Sequence, residues 1–547
     1  MTYQKPTLVP MRERLRLADD PTLGGGNLLH HALEVSPNLD SPCLVSERPV
    51  EYIDNRSKNQ FTLAEVDLLA RTWSAHYTDS GVRPRDRVAI YLHDSFEDLL
   101  HFIALSQIGA IPVLINGRMR PDLAAGHCRR TGAIGLHTDE EHRQSLGDVA
   151  TEVPCLRWTQ TDAEVNLAGR GELASENTYR HAAQDPILIC HSSGTTGVPK
   201  PVVWTHAQSM VGVRCHLISF RDQRDGVILS ALPPSHAAAI GYAALAMLTG
   251  TPLVVLADSS GANVAAAIDH YQATTVAAFA YTHSELAALH PQPGQFGTVE
   301  SWVSVGDSAH KAHISRLVRT GRHWKAGKPI PGSMFIDGLG ASELGWGGVL
   351  SRITVSGTEH DDRCIGTPQP HAVVTILRPD GTEANDGEIG LLAVKSAAIT
   401  PGYWNDSDTT YRSQLSGYWL SGDLARRDQH GRFYHVDRAI DAIPLHDGVG
   451  YTVLMEETLL ANIPEIDDCA VVAGTVDGET RPVAVVKLRD RVSDAATLLH
   501  EANVVLRANR QPEIALVDIV ESAASMPLGP TGKVLKRQLR EKFTTPS

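Results

Sequence analysis

Between Phe61 and Ile115 the apolar positions fall into four segments of alternating period. Leu63-Ala64-Glu65-Val66-Asp67-Leu68-Leu69-Ala70 repeats apolar residues at three- and four-residue spacing and predicts a helix. Arg87 to Leu92 is a short apolar run that predicts a strand. Glu97 to Ile108 returns to helical spacing, and Ile111 to Ile115 predicts a second strand. Similar runs recur at 187–189, 227–232, 252–256, 274–279 and 302–305, separated by segments of helix length. Strands covered on both faces read as near-continuous apolar runs, so this alternation predicts parallel sheets sandwiched by helices. Residues 1 to about 45, rich in Pro, Gly and Asp, are expected to form an irregular lead-in.

Beyond Ile365-Gly366 the runs shorten. Val373 to Leu377, Ile389 to Val394 and Arg432 to Val436 predict strands joined by Gly/Asp turns, and hence a small β-rich subdomain. From Asp437 the alternation returns, with strands predicted at Ala470 to Ala473 and Val483 to Lys487 and a helix at Ala495 to Ala508. The fold class read from this is α/β. A large N-terminal domain holds two parallel-type sheets plus the small β subdomain, and a small α+β C-terminal domain follows. The boundary is expected at Asp437-Arg438, giving domains 1–437 and 438–547. A chain of 547 residues is too long for one hydrophobic core, which agrees.

Composition narrows the partners. With 42% hydrophobic and 20% charged residues the chain reads as an ordinary globular protein. A net charge of -14 argues against nucleic acid or an anionic membrane as the main partner, though local loops can still hold an anion. Seven scattered cysteines without CxxC pairing suggest reduced thiols in the cytoplasm. Arg12, Arg14 and Arg16 precede no apolar stretch of signal-peptide type. The most apolar long segment, Tyr242 to Ala257, is interrupted by Gly250 and Pro252, so helix, turn and buried strand are expected there rather than a membrane span.

The stretch Ser192-Ser193-Gly194-Thr195-Thr196-Gly197-Val198-Pro199-Lys200, which follows the apolar run Ile187-Leu188-Ile189 after Cys190 and His191, supplies hydroxyls, flexible backbone N–H groups and one cation. Those are the groups that hold phosphate oxygens. A Walker A loop needs Gly before its Lys and Ser or Thr after it. Here Pro199 and Pro201 flank Lys200, so a generic P-loop ATPase is excluded. Taken alone, such a loop is commonly a surface turn. The downstream motifs give it weight.

The loop resembles the signature of the adenylate-forming superfamily, which includes acyl- and aryl-CoA synthetases, peptide-synthetase adenylation domains and luciferases. Four further segments match that superfamily in order, and the resemblance spans roughly residues 50 to 540. Asp337-Gly338-Leu339-Gly340-Ala341-Ser342-Glu343 resembles its aromatic-Gly-x-Thr-Glu motif, with Leu339 in the aromatic position. The resemblance implies Mg²⁺ on Glu343, a phosphate contact from Ser342 and an adenine contact from Asp337. Ser421-Gly422-Asp423, followed by Gly431 to Arg438, resembles the Thr-Gly-Asp segment, which implies that Asp423 and Arg438 bind ribose. Pro527-Leu528-Gly529-Pro530-Thr531-Gly532-Lys533 resembles the catalytic-lysine loop of a mobile C-terminal domain. Pro233-Pro234-Ser235-His236 through Gly241 resembles the substrate-pocket segment; His236, Ala280, Tyr281 and Gly306 are its expected lining.

The function so implied is ATP- and Mg²⁺-dependent activation of a small organic acid, aromatic in one reading, as an acyl-adenylate with release of pyrophosphate. Transfer to coenzyme A or to the phosphopantetheine of a carrier protein would follow. No Asp follows His236, where amino-acid-activating relatives carry one. The segment after Arg438 also departs from pattern: Asp437 replaces a usual Gly, Ile440 occupies the pivot, and Asp447 to Glu456 lacks the usual Pro with its acidic register shifted. That leaves the acceptor open, including a non-thiol acceptor or an unusual oxyanion such as nitrite as the activated species. A nucleotide-binding protein without catalysis is the remaining alternative.

Overall fold

The apolar runs become neighbouring strands in the computed structural model, which describes residues 7–53, 56–150, 153–192, 198–219, 226–306, 309–325, 327–358, 363–489, 494–520, 526–527 and 534–544. The chain divides into two units. One comprises Met1–Ser192, Pro199–Val374 and Val394–Arg412; the other comprises Ser193–Val198, Thr375–Ala393 and Ser413–Ser547.

The first unit contains a two-stranded ribbon, Arg322–Lys325 with Lys328–Pro331, and strands of two large sheets. One has the strand order Trp158–Thr161, Gly135–Thr138, Arg87–Tyr91, Ile111–Ile115, Pro186–His191, Pro201–Thr205, parallel except for the last pair. The other runs in parallel from Met334–Leu339 through Ser301–Val305, Thr275–Phe279, Ile228–Ser230 and Leu253–Val255 to Pro42–Glu51. Antiparallel strands flank this run, among them Leu350–Val355 beside Met334–Leu339. Leu229, Val254, Val276, Trp302 and Phe335 make its buried core. The helix predicted at Leu63 spans Leu63–Asp79. A capping box sets its start: Glu65 N–H donates to Thr62 Oγ1 at 3.2 Å and Thr62 N–H to Glu65 Oε2 at 3.0 Å. Tyr242 to Ala257 resolves into the end of helix Ala237–Thr249, a left-handed Gly250 and strand Leu253–Val255. The α/β reading therefore holds, and no helix among the described residues is long and apolar enough to cross a membrane.

The lead-in is not irregular. It forms helices Met11–Asp19 and Leu28–Val35 before strand Pro42–Glu51 begins. Tertiary contacts outweigh local composition here. Leu17 and Leu23 are fully buried, and Arg214 donates to the carbonyls of Ala18 at 3.0 Å and Leu23 at 2.7 Å, satisfying groups at the first helix's end. The glycines of this stretch allow close packing: a Cβ on Gly25 would lie 2.6 Å from Ser209 Oγ.

In the second unit, Tyr418–Arg427 pairs antiparallel with Phe433–Arg438. Further on, Ile466–Val476 and Glu479–Leu488 form a hairpin joined in parallel by Leu516–Val520. Helices Thr452–Asn462 and Ala495–Ala508 pack Met455, Leu459, Leu498 and Leu506 against one face. Helix Lys536–Thr544 places Leu539 with Val472 and Val483 on the other.

Candidate active site

Two paired strands flank the phosphate-type segment in the chain. Strands Pro186–His191 and Pro201–Thr205 pair antiparallel in the register Ile189↔Val203, Cys190↔Val202, His191↔Pro201. The pairing continues to Ser192 N–H on Lys200 O at 3.1 Å and Lys200 N–H on Ser192 Oγ at 3.2 Å. Ser193, Gly194, Thr195, Thr196 and Gly197 lie outside the described residues. Lys200 Nζ donates to Tyr403 Oη at 3.4 Å and stands 4.9 Å from the ring centroid. Tyr403 Oη in turn donates to Glu343 Oε1 at 2.9 Å. Two motif residues 143 positions apart thus meet on one phenol.

Backbone contacts explain why the phenol is there. Segment 400–404 runs beside strand Pro201–Thr205: Val203 N–H donates to Gly402 O at 3.1 Å and Trp404 N–H to Pro201 O at 2.8 Å. Gly402 has φ +145°, and a Cβ there would come 2.6 Å from Thr410 Cγ2. The turn carrying Ser342 and Glu343 is held from both sides, by Trp204 Nε1 on Ser342 O at 2.8 Å and Thr400 N–H on Glu343 O at 2.9 Å. Upstream, Asp337 is buried and takes a bidentate pair from Arg352, Nε at 3.0 Å and Nη2 at 2.6 Å, directly across the strand register. Gly338 must be glycine, because a Cβ would meet Leu350 O at 2.1 Å. Leu339 follows on the same strand, and Gly340 lies at its exposed end against Gly348 Cα.

His236 caps helix Ala237–Thr249 through Nδ1, which accepts from Ala238 N–H at 3.1 Å. Burial, with His191 nearby, lowers its pKa to about 4, so the imidazole is neutral at pH 7. Its ring meets Phe279 edge-on at 5.3 Å. Phe279 belongs to a cluster with Leu232, Ala239 and Ala277, against which Tyr281 and Val303 pack. Ala280 starts helix Ala280–Ala288, and Gly306, at φ +85°, lies against the Phe279 ring. The Tyr281 hydroxyl is hydrogen-bonded to Ser259 Oγ, and Arg118 reaches both hydroxyls. The residues expected to line a substrate pocket therefore lie in or beside one apolar, aromatic cluster with a polar edge.

In the second unit Asp423 and Arg438 are cross-strand partners. Arg438 Nη1 donates to Asp423 Oδ1 at 2.8 Å, and His435 Nε2 lies 3.3 Å from the same oxygen. Burial alone would raise the Asp423 pKa, but Arg438 and His435 hold it well below the usual carboxylate range. The altered segment forms hairpin Ile443–Leu445/Gly448–Gly450, with His446 and Asp447 almost fully exposed at its tip. Behind it Asp437 is buried and accepts from Thr452 N–H and, at 3.0 Å, from Thr452 Oγ1. Lys533 lies outside the described residues. Tyr403, Arg352 and His435 were not among the expected site residues. Tyr403 alone has a sequence signal, an aromatic pair after Pro401-Gly402.

The family described as AMP-binding enzyme matches residues 35–404. A 3-aminoavenalumate diazotase from a Streptomyces species is 37% identical, over 98% of this chain and 99% of that protein. A 3-amino-2-hydroxy-4-methoxybenzoate diazotase from Streptomyces cremeus is 27% identical over 84% and 87%. The solved anthranilate CoA ligase AuaEII, in complex with anthranoyl-AMP, superposes with a TM-score of 0.80 at 18% identity, over 96% of this chain and 99% of that one.

Proposed function

Because the chain belongs to the AMP-binding enzyme family and is an AMP-forming ligase, we propose that it activates nitrite with ATP and transfers the nitrosyl group to an arylamine, forming a diazonium product. The observation that carries this reading is the kinship, over nearly all of both chains, with a protein named 3-aminoavenalumate diazotase. A diazo group needs a second nitrogen at the oxidation level of nitrite, and ATP supplies the leaving group for one of its oxygens. A nitrite oxygen attacks the α-phosphorus and pyrophosphate leaves. The amine lone pair attacks the nitrosyl nitrogen, the N–O bond to AMP breaks, and a proton is lost. The remaining N–H proton shifts to the nitrosyl oxygen, giving the diazohydroxide; that oxygen takes up a second proton, the equivalent of the one lost before, and leaves as water to give the diazonium ion.

The residues fit that sequence. Lys200 and the Ser192 hairpin would bind the β- and γ-phosphates, with Ser193, Gly194, Thr195, Thr196 and Gly197 completing the loop. Asp423 and Arg438 would hold ribose, and Asp337 with Gly338, Leu339 and Gly340 the base. Glu343 Oε1 is engaged by Tyr403 and the carboxylate is half-buried, a hard oxygen donor suited to Mg²⁺ with Ser342 beside it. Bound there, Mg²⁺ would neutralise charge on the phosphates. The apolar patch of Phe279, Tyr281 and Ala280 beside neutral His236, with Gly306, suits an arene. Domain 438–547 would carry Lys533 to the reacting phosphate. The altered segment behind Arg438 supports a non-thiol acceptor. In the second reading, favoured by the fold shared with an anthranilate CoA ligase, an aromatic carboxylic acid is adenylated and passed to coenzyme A or a carrier-protein phosphopantetheine.

The test supplies ATP, Mg²⁺, ¹⁵N-nitrite and a panel of aminoarene carboxylic acids, with mass spectrometry of trapped azo adducts. Nitrite-dependent AMP release and ¹⁵N in the adduct are expected. AMP release with the acid and coenzyme A but no nitrite, yielding a thioester, would establish the second reading instead. Tyr403→Phe is expected to lower kcat/KM for AMP formation about 10- to 100-fold, since a hydrogen bond to a charged group contributes about 1.5–3 kcal/mol. A change under twofold would mean the phenol does not position Lys200 and Glu343.

A further inference from the structure

A second group of chemistry-bearing side chains lies in the first unit, and none of its residues belongs to the candidate active site. His101 comes from helix Glu97–Gln107, His137 from strand Gly135–Thr138, and Asp162 follows strand Trp158–Thr161. One donor atom from each lies within 4.8 Å of the other two. His137 Nε2 is 2.8 Å from Asp162 Oδ1, and both imidazoles are fully buried.

The outer nitrogens are already fixed. His101 Nδ1 is 2.9 Å from Tyr77 Oη, and His137 Nδ1 is 3.2 Å from the Gln160 amide. Histidine ligands to metals ordinarily have their second nitrogen held in this way, which sets tautomer and ring orientation. His101 Nε2, its remaining nitrogen, has no hydrogen-bond partner among the described residues. Asp162 and Glu97 line one small cavity with Trp73 and Leu167, so a further oxygen donor is at hand. With the Gln160 amide turned over, its carbonyl would accept Nδ1–H of His137 and leave Nε2 free to coordinate.

We propose that His101, His137 and Asp162 bind one divalent transition-metal ion, with zinc the ion best matched to two imidazoles and a carboxylate. The ion would pin helix Glu97–Gln107 to the edge strands of the six-stranded sheet. The other His/Asp group, His93, Asp139 and His142, differs in kind. Both His142 nitrogens are engaged, by Asp139 Oδ2 at 2.7 Å and Gly117 O at 2.8 Å, and Asp139 caps its helix. It reads as a satisfied structural contact.

The test uses the full-length, tag-free chain, stripped with a chelator and titrated with Zn²⁺ alone, with metal content read by mass spectrometry after gel filtration. One zinc per chain is expected, and cobalt in its place should give visible d–d absorption. Asp162→Asn, at a half-exposed side chain, and His101→Asn should each weaken zinc binding at least about tenfold, by the usual sensitivity of such sites. His142→Asn should leave it unchanged. Circular dichroism checks that each variant is folded. Failure of the folded wild-type protein to retain zinc overturns the proposal. So does undiminished binding in folded Asp162→Asn, or loss of binding through His142→Asn alone.

Discussion

Lys533→Ala is expected to slow nitrite-dependent AMP formation by about 10²-fold or more, the cost typical of removing one donor that acts on developing charge. ATP affinity should change far less, because the phosphate hairpin and the Asp423–Arg438 pair do not depend on this side chain. The proposed reaction needs a compact cation at the α-phosphate only while charge moves there, and a lysine ammonium is a compact point charge on a flexible stem. The described residues on either side of Lys533 in the chain are held: Leu535 N–H donates to Pro527 O at 2.7 Å, Met526 is buried, and Lys536 pairs with Glu456. Lys533→Arg should not restore the rate, since a planar guanidinium presents its charge differently. Equilibrium ATP binding beside single-turnover AMP formation separates the two effects. Equal losses in both would make Lys533 a binding residue only.

The sequence made the parallel strands legible because each is buried on both faces, so its apolar run is unbroken, as at Ile111–Ile115 and Thr275–Phe279. It misled at residues 11–35, where Leu17 and Leu23 are held by partners near position 214 and local composition carries no trace of that contact. The site divides in the same way. Ser192, Lys200, Glu343 and Asp423 stand in contiguous motifs whose spacing is itself informative. Tyr403, which joins Lys200 to Glu343, is brought in by a strand-like pairing with residues 201–203, and Arg352 reaches Asp337 through sheet register. Pairings of that separation are set by the fold, not by neighbours in the chain. Asp437 and Glu456 were visible only as departures from a pattern. Their reason is a largely buried network whose fourth member, Lys536, lies 80 residues beyond Glu456.

That network yields the largest expected change in stability. Lys536 Nζ lies 2.7 Å from Glu456 Oε1 and donates to Thr452 Oγ1 at 2.7 Å, while Thr452 donates to Asp437. Glu456 Oε1 also accepts from Val471 N–H at 2.7 Å, which fastens the first strand of the hairpin to helix Thr452–Asn462. Burial alone would lower the Lys536 pKa, but Glu456 and Asp437 hold it above the usual lysine range, so the ammonium stays charged. Burial pushes the Glu456 carboxyl up, and Lys536 offsets part of that. Lys536→Met removes the cation and leaves buried carboxylates facing one another, an uncompensated arrangement that costs about 3–5 kcal/mol. The sign with pH follows from the same shifts. The lysine's contribution is fully present below its unfolded pKa and is lost only as pH rises through its raised folded value, so the wild type keeps it throughout the neutral range. In the variant, Glu456 loses its cation, its pKa rises further, and it takes up a proton as pH falls. The deficit should therefore be larger at pH 8 than at pH 5. Hydrogen exchange at the Val471 amide reads this directly, because opening of the hairpin exposes it. Protection equal to wild type at pH 8 would show that the pair contributes nothing net. A deficit that widened toward pH 5 would mean that the buried carboxylates are not its source.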